Sequence, residues 1–484
     1  MRIDVLGGSY QHKYLDLNSQ RAINWFPVLG AKQEKNLTPV SIFPTPGLLA
    51  YTANLGSMAS DIYVTNDLTG IERCFAVIDE TLYEIHVDGT TTNRGTLSGS
   101  SSSTSPAYMV GDSESHLAIF ANGAGDVFNT STNTLTQITD VDFPGLYTAD
   151  FVDGYFVGTP IYDTVGRVRF SELNDPSNWV GDGVFTPTSR SDAVKRVIAW
   201  REELYIFGAI TIEVYLNDGD TPWSRRRGTS QPYGLLSAHA ADLTNFGIMF
   251  LGAAEKGLPS IYLYQSDYTI KPMSPPSINE RLGEIPNLAD CTSCVQYSKG
   301  GHVWWMLHVP GMATTFVYDF TTNEWHERQS TAPYPDSDGS PIIGMYRGKK
   351  CVSFHGMNLW IDRYSGKILK EDYDTHTEDG QIIYREITSP VFNKDDRFIS
   401  VHNMEIIHNT GSGPGTIQID YSRDGGHTFG TQRGITLPST ATYGRRSYLT
   451  KLGRSRRWVV RIKNSDAIDL MLMSVVVNGS LGER

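Results

Sequence analysis

Along most of the chain, short apolar runs of strand length alternate with polar turns. The clearest stretch lies in the middle. Leu204-Tyr205-Ile206-Phe207-Gly208 is one such run, and 211–216 then alternates, with Ile212, Val214 and Leu216 on one face and Thr211, Glu213 and Tyr215 on the other. Asn217-Asp218-Gly219-Asp220 supplies the turn, because such residues tolerate positive φ or bond their own backbone. A lone hairpin of this kind cannot bury its apolar face, so cover must come from elsewhere. The pattern recurs. Apolar runs read as first strands begin near Cys74, Leu117, Tyr155, Leu204, Ile248, Val303 and Cys351, at intervals of 43, 38, 49, 44, 55 and 48 residues. Second strands follow at 81–87, 126–129, 168–172, 212–216, 261–265, 315–319 and 359–362. A unit of this length holds four short strands, the content of a propeller blade. The expectation is an all-β chain with a β-propeller of six or seven blades over 55–372.

The pattern changes beyond 372. Strands are expected at 382–387, 401–408, 416–422, 433–437, 458–463 and 471–478, with glycine-rich turns such as 411–415. About a hundred residues with this strand density predict a C-terminal β-sandwich over 373–484. Residues 1–54 follow neither pattern. Tyr10, Trp25-Phe26-Pro27-Val28 and Phe43-Pro44-Thr45-Pro46-Gly47 are aromatic and proline landmarks separated by polar segments such as 31–36. Proline favours extended backbone and removes ladder donors. Two readings stand: an extended arm that anchors Trp25, Phe26 and Pro27 on another subunit, or a meandering first strand that closes the chain's own sheet. The serine-rich loop 96–106 and the proline-rich loop 331–341 are further candidate contact segments.

Composition supports this picture. The 46 glycines, 23 prolines and 25 tyrosines, with 19% charged residues, suit many short strands and tight turns. A net charge of −12 argues against wrapping nucleic acid through its phosphates, yet leaves room for DNA passing through a lumen. Four cysteines are too few for a disulfide scaffold. No basic region followed by an apolar run marks a signal peptide, and the longest apolar segment, 470–477, is far short of a membrane helix. The expectation is a soluble protein made in a reducing cytosol, without membrane contact.

Candidate chemistry is sparse. Cys291-Thr-Ser-Cys294 has the spacing of half a zinc site, but His302 and His308 follow at the wrong distance and no second pair exists, so two buried thiols are expected. Ser422-Arg-Asp424-Gly425-Gly426-His-Thr428-Phe429 fits an Asp-box, a structural hairpin loop found in sialidases and other β-proteins. Asp420 to Gly425 also begins like an EF-hand loop, but Thr431 stands where the bidentate glutamate belongs. Arg445, Arg446, Lys451, Arg454, Arg456, Arg457, Arg461 and Lys463 form a basic cluster interleaved with Tyr448 and Trp458. It reads either as solvated strand faces or as a surface for an acidic partner or a local guide for DNA. Arg225-Arg226-Arg227 is a smaller basic spot. No phosphate loop, nucleophile elbow or metalloprotease helix is present, so no enzyme, cofactor or metal is expected.

Several of these segments, taken in order, resemble the tail accessory, or packaged-DNA stabilisation, proteins of short-tailed phages. They are Trp25-Phe26-Pro27-Val28 and Phe43-Pro44-Thr45-Pro46-Gly47 near the N-terminus, and Trp200-Arg201-Glu202, Phe207-Gly208 and Thr211-Ile212-Glu213 in the centre. Ser389-Pro390-Val391-Phe392-Asn393-Lys394, Met404-Glu405 and Gly453-Arg454-Ser455-Arg456-Arg457 complete the set. The resemblance implies a virion protein that is not an enzyme. It implies a homo-oligomeric ring, six copies, below the portal and its adaptor ring. Such a ring retains packaged DNA, lets it pass on ejection, and docks a tail needle and tailspikes or fibres. Partner contacts are expected at Trp25, Phe26, Pro27, Arg445, Arg446, Arg454, Arg456 and Arg457. Two alternatives compete: a glycan-binding or sialidase-like propeller, suggested by the Asp-box and the many Tyr and Trp, and a Kelch-like adaptor, suggested by 317–325 but opposed by the irregular spacing.

Overall fold

The computed structural model describes residues 6–29, 40–102, 105–161, 163, 165–187, 192–220, 223–298, 300–410, 414–437 and 442–482. The polar segment 31–36 and the turn residues 411–413 lie outside them. Seven antiparallel sheets of four principal strands follow one another over 59–96, 108–137, 146–185, 194–225, 233–272, 292–335 and 348–372, with the innermost strand of the fifth split in two. They are the blades of a closed propeller. Each adjoining pair shares an apolar core, and the last joins the first through Ile62 and Cys74 against Leu359 and Ile361. A fully buried side chain of this type contributes about 1.5–3 kcal/mol.

The central hairpin shows how cover is provided. Ile212 and Val214 pack towards Phe250 of blade 5, whereas Tyr215 packs towards Phe185 of blade 3. The alternation therefore separates two neighbours rather than core from solvent. Glu213, on the second face, lies beside Arg225 at 3.5 Å.

The runs expected to be first strands are the second strands of blades 1–6. True innermost strands escape an apolar pattern because they line the axis with Asp61, Asp150, Arg196 and Asp242. The carboxylates stitch blades together: Asp61 accepts the Met109 N–H at 3.0 Å and Asp150 the Ala199 N–H at 2.8 Å. In blade 7 the run at Cys351 is itself the innermost strand. The repeat count of seven holds, but that interval is one strand out of phase. The outermost strand of blade 7 comes from the N-terminus.

Four N-terminal strands build this junction: β1 (Arg21–Ile23), β2 (Trp25–Leu29), β3 (Val40–Pro44) and β4 (Gly47–Ala50). Strand β4 pairs Leu48 with Glu371 and Leu49 with Lys370, closing blade 7. Strand β1 pairs parallel with the last strand of blade 6 (Ile23 opposite Glu327) and antiparallel with Arg385–Thr388 of the sandwich. One sheet thus runs from propeller to sandwich without a break. Strands β2 and β3 join the second sandwich sheet, where Ile42 faces Leu472. The two sandwich sheets enclose Trp25, Met404, Ile419, Trp458, Ile462 and Leu472. A strand absent from the expectation, Thr442–Ser455, forms an edge of the second sheet. Among the described residues one helix occurs, α1 (Pro276–Gly283), which opens on proline and buries Ile278 and Leu282 against blades 5 and 6. It is too short to cross a membrane.

Candidate interaction surfaces

The aromatic landmarks near the N-terminus lie inside the chain. Asn24, at φ 52°, turns the backbone between sheets. Its side chain donates to the Gln329 and Tyr384 carbonyls at 2.8 and 2.7 Å and accepts the Gln329 N–H at 3.1 Å. Both its amide N–H groups and its amide oxygen are spent on the propeller–sandwich junction. Trp25 is then buried in the sandwich core, with Nε1 donating to the Leu470 carbonyl at 3.3 Å. Phe26 inserts edge-on against Trp304 at 5.0 Å and beside His302 and His326, in the core between blades 6 and 7. Pro27 is buried on an outer strand, where a missing N–H costs no ladder bond. This corrects the expectation of a free arm. Trp25, Phe26 and Pro27 are intrachain anchors, and of the two readings the self-closing strand is the one observed.

Beside them sits a buried carboxylate. Glu327 receives Arg21 at 2.8 Å, Arg281 of α1 at 2.9 Å and the Ser9 hydroxyl at 2.7 Å. Burial alone would raise its pKa, but the two guanidinium groups hold it well below the usual carboxylate range.

The basic cluster divides. Arg461 forks onto Asp420 at 2.8 Å through two nitrogens, and Lys463 reaches the same carboxylate at 3.3 Å. Both belong to the fold. Arg445 and Arg446 lie on the edge strand opposite His408 and Ile407; their side chains are outside the described set. Arg454 and Arg456 are exposed and lie over the Phe398 ring at 4.3 and 4.5 Å, and Arg456 comes within 3.8 Å of Asp396. Arg457 pairs with Asp16 at 3.0 Å. Tyr448, on the same strand, is exposed. Lysine and arginine on an open edge discourage unwanted strand pairing while leaving charge available to a chosen partner. The smaller basic spot is largely neutralised, with Arg226 on Glu203 at 2.5 Å and Arg225 near Glu213.

The Asp-box closes on itself. Asp424 accepts the Ser422 hydroxyl at 2.6 Å and the Thr428 N–H at 2.9 Å, which holds its carboxyl well below the ordinary value despite the opposing effect of burial. Gly425, at φ +80°, has Asp16 so close that a Cβ would sit 2.4 Å from its carboxylate, and Gly426 faces Leu15 and Ser19. The loop fastens the segment that precedes β1. Cys291 and Cys294 are free, buried thiols in two separate cores. Burial pushes Cys291 up to about 12 and Cys294 higher still. His302 pairs with Asp319 at 2.6 Å, and His308 bonds Thr315 at 3.0 Å. Among the described residues no group of three or more His, Cys, Asp and Glu is arranged to hold a metal. Of the two loops singled out, 336–340 is exposed, while residues 103–104 of the other lie outside the described set. Sequence reading missed Glu327, Arg281 and the polar axis, because each acquires its partners only across blades.

The chain matches two family models: Bacteriophage P22 Gp10, β-propeller, over residues 1–368, and Bacteriophage P22 Gp10, β-sandwich, over residues 384–479. No curated protein matches it. Among solved structures it is similar to the extracellular domain of a one-component system from B. thetaiotaomicron (12% identity, TM-score 0.42), covering 83% of this chain and 48%, about half, of that one. It is also similar to virginiamycin B lyase from Staphylococcus aureus (11% identity, TM-score 0.39, 65% of this chain and 94% of that one). A third is the Neurospora crassa Pan2 WD40 domain (8% identity, TM-score 0.42, 68% and 95%).

Proposed function

We propose, for a chain that belongs to the bacteriophage P22 Gp10 family and is a structural tail protein of that type, that it assembles into a ring-shaped hub of six copies. The hub sits below the portal–adaptor complex, keeps packaged DNA in place, and offers docking surfaces to a tail needle and to tailspikes or fibres. One observation carries this reading: the sheet that passes from blade 6 through β1 into the sandwich. Domains in one chain move relative to each other by default. Here they share backbone hydrogen bonds, so the angle between them is fixed. A heterologous contact repeated around an axis closes a ring only when each copy presents its two faces at a constant angle. A net charge of −12 lets DNA slide past such a ring without adhering. The exposed Arg454 and Arg456 supply a candidate contact for an acidic neighbour. The glycan alternative draws no support from the Asp-box, whose polar groups are spent on its own turn and whose glycines pack against the N-terminal segment.

Electron microscopy of the purified chain, alone and mixed with portal–adaptor complexes, tests the reading. Rings, or rings formed on the adaptor, are expected. A monomer at every concentration that never co-sediments with portal–adaptor complexes overturns it.

A further inference from the structure

Where the innermost strands of blades 1, 2, 5, 6 and 7 begin, they line, together with Arg196 of blade 4, a partly open cavity of about 90 Å³. Its walls carry Arg196 from blade 4, His239 and Asp242 from blade 5, Lys349 and Lys350 from blade 7 and Asp61 from blade 1. The carboxylates are accounted for. Asp61 takes the Lys350 ammonium at 2.5 Å and the Met109 N–H, and Asp242 takes the Trp305 indole N–H at 3.0 Å and the Ser293 hydroxyl.

The remaining cations have no ion-pair partner in contact, although Asp242 and Asp150 act on Arg196 through space. Arg196 donates only to neutral oxygens, the Ala238 carbonyl at 2.9 Å and the Tyr108 hydroxyl at 3.1 Å, and its buried Nε has no partner. Lys349 makes no salt bridge with any described carboxylate, and Asp61, the nearest in influence, already holds Lys350. The His239 ring, against Tyr147 at 5.0 Å, has a buried Nε2 without a partner. Buried donors left unpaired are costly, and their persistence calls for a ligand or bound solvent. The electrostatics agree with the geometry. Burial, then Arg363, lowers Lys349 to about 8, and burial, then Arg196, Lys349 and Lys350, lowers His239 to about 3.

We infer that the axial cavity is a binding site for one small oxyanion, a phosphate- or carboxylate-sized group, held by Arg196, Lys349 and the neutral His239 ring. The volume suits it: roughly 10–15 Å³ of such space holds one water, so the cavity takes several waters or one tetrahedral anion. The guanidinium supplies directional donors, the ammonium a point charge, and the imidazole a donor from Nε2. The site is on one protomer and goes beyond the hub reading, which does not require it.

Titration calorimetry with inorganic phosphate and with acetate, each against chloride at matched ionic strength, tests the inference on the full chain. One site per chain is expected for at least one of the two anions. Lys349→Met should weaken it about 10- to 100-fold, the loss of one charged hydrogen bond, and Lys349→Arg should restore most of it. Lys13→Met, which removes an exposed lysine elsewhere, should change nothing. Phosphate binding without acetate binding identifies the occupant as a free phosphate-like ion. Binding of both admits a carboxylate delivered by another molecule. Circular dichroism of Lys349→Met guards against loss of fold, and Lys349→Gln, expected to weaken binding likewise, carries the test if that variant does not fold. No heat beyond the chloride control for either anion, or an affinity unchanged by Lys349→Met in folded protein, overturns the inference.

Discussion

Glu327 is the residue on which the junction turns. It is fully buried, and its two arginines come from β1 and α1, so a single carboxylate ties three separate elements. Removing one partner of a buried ion pair strands the other charges. Glu327→Ala is therefore expected to cost about 3–5 kcal/mol, read in chemical denaturation, with Glu327→Gln costing less. Because the folded pKa is depressed, the carboxylate contributes its full stability above its unfolded value, near 4.5. That contribution is lost as pH falls below this value towards the folded one. Melting temperatures recorded from neutral pH downwards should drop steeply below about pH 4.5, and Glu327→Gln should flatten the drop. An acid limb of the same slope in both proteins would refute the assignment. None of this was legible in the sequence: Arg21 and Glu327 are 306 positions apart, and no local pattern announces such a pair.

At the scale of elements, legibility followed burial. The second and third strands of each blade face neighbours on both sides and read as apolar runs, whereas innermost strands carry Asp61, Arg196 and Asp242 for work at the axis. Thr442–Ser455 escaped for a related reason: an open edge rich in Arg and Lys has no alternation to find. The N-terminal strands were legible only as landmarks, since their partners lie at Glu327, Glu371 and Leu472. Their burial changes what mutations there should do. Trp25→Ala empties the sandwich core and is expected to cost about 3–5 kcal/mol, so the isolated protomer itself is weakened. A variant of wild-type stability that fails only in assembly would restore the arm reading. Leu48→Ala is expected to cost about 2–5 kcal/mol and to open blade 7 first. Hydrogen exchange should then rise in peptides spanning Ile368–Asp372, the partner of β4, before it rises in blades 2–5. Uniform exchange across all blades would show that β4 is not the closing element.

At the scale of the molecule, propeller and sandwich could each be read from their own regularity, while their union could not, because the shared sheet passes through only three β1 residues, reinforced by Asn24 and Glu327. That union decides how surface charge can act. On a hinged pair of domains a basic edge would meet partners over a range of angles; on a fused protomer it is presented in one. Arg454 and Arg456 lie exposed at that edge, stacked on Phe398 and with Asp396 as their only described acidic neighbour, beside Arg456. Removing exposed charges of this kind usually changes stability by no more than about 0.5 kcal/mol, whereas losing them from an interface slows encounter and alters its salt dependence. The double variant Arg454→Ala with Arg456→Ala should therefore melt like the parent yet assemble more weakly in sedimentation velocity. Assembly of the parent should itself decline as salt is raised from about 0.1 to 1 M, over which the screening length falls from about 10 to 3 Å. If the double variant assembles like the parent at every salt concentration, the basic edge serves only to keep strands from pairing, and the contacts of the proposed ring lie elsewhere on the protomer.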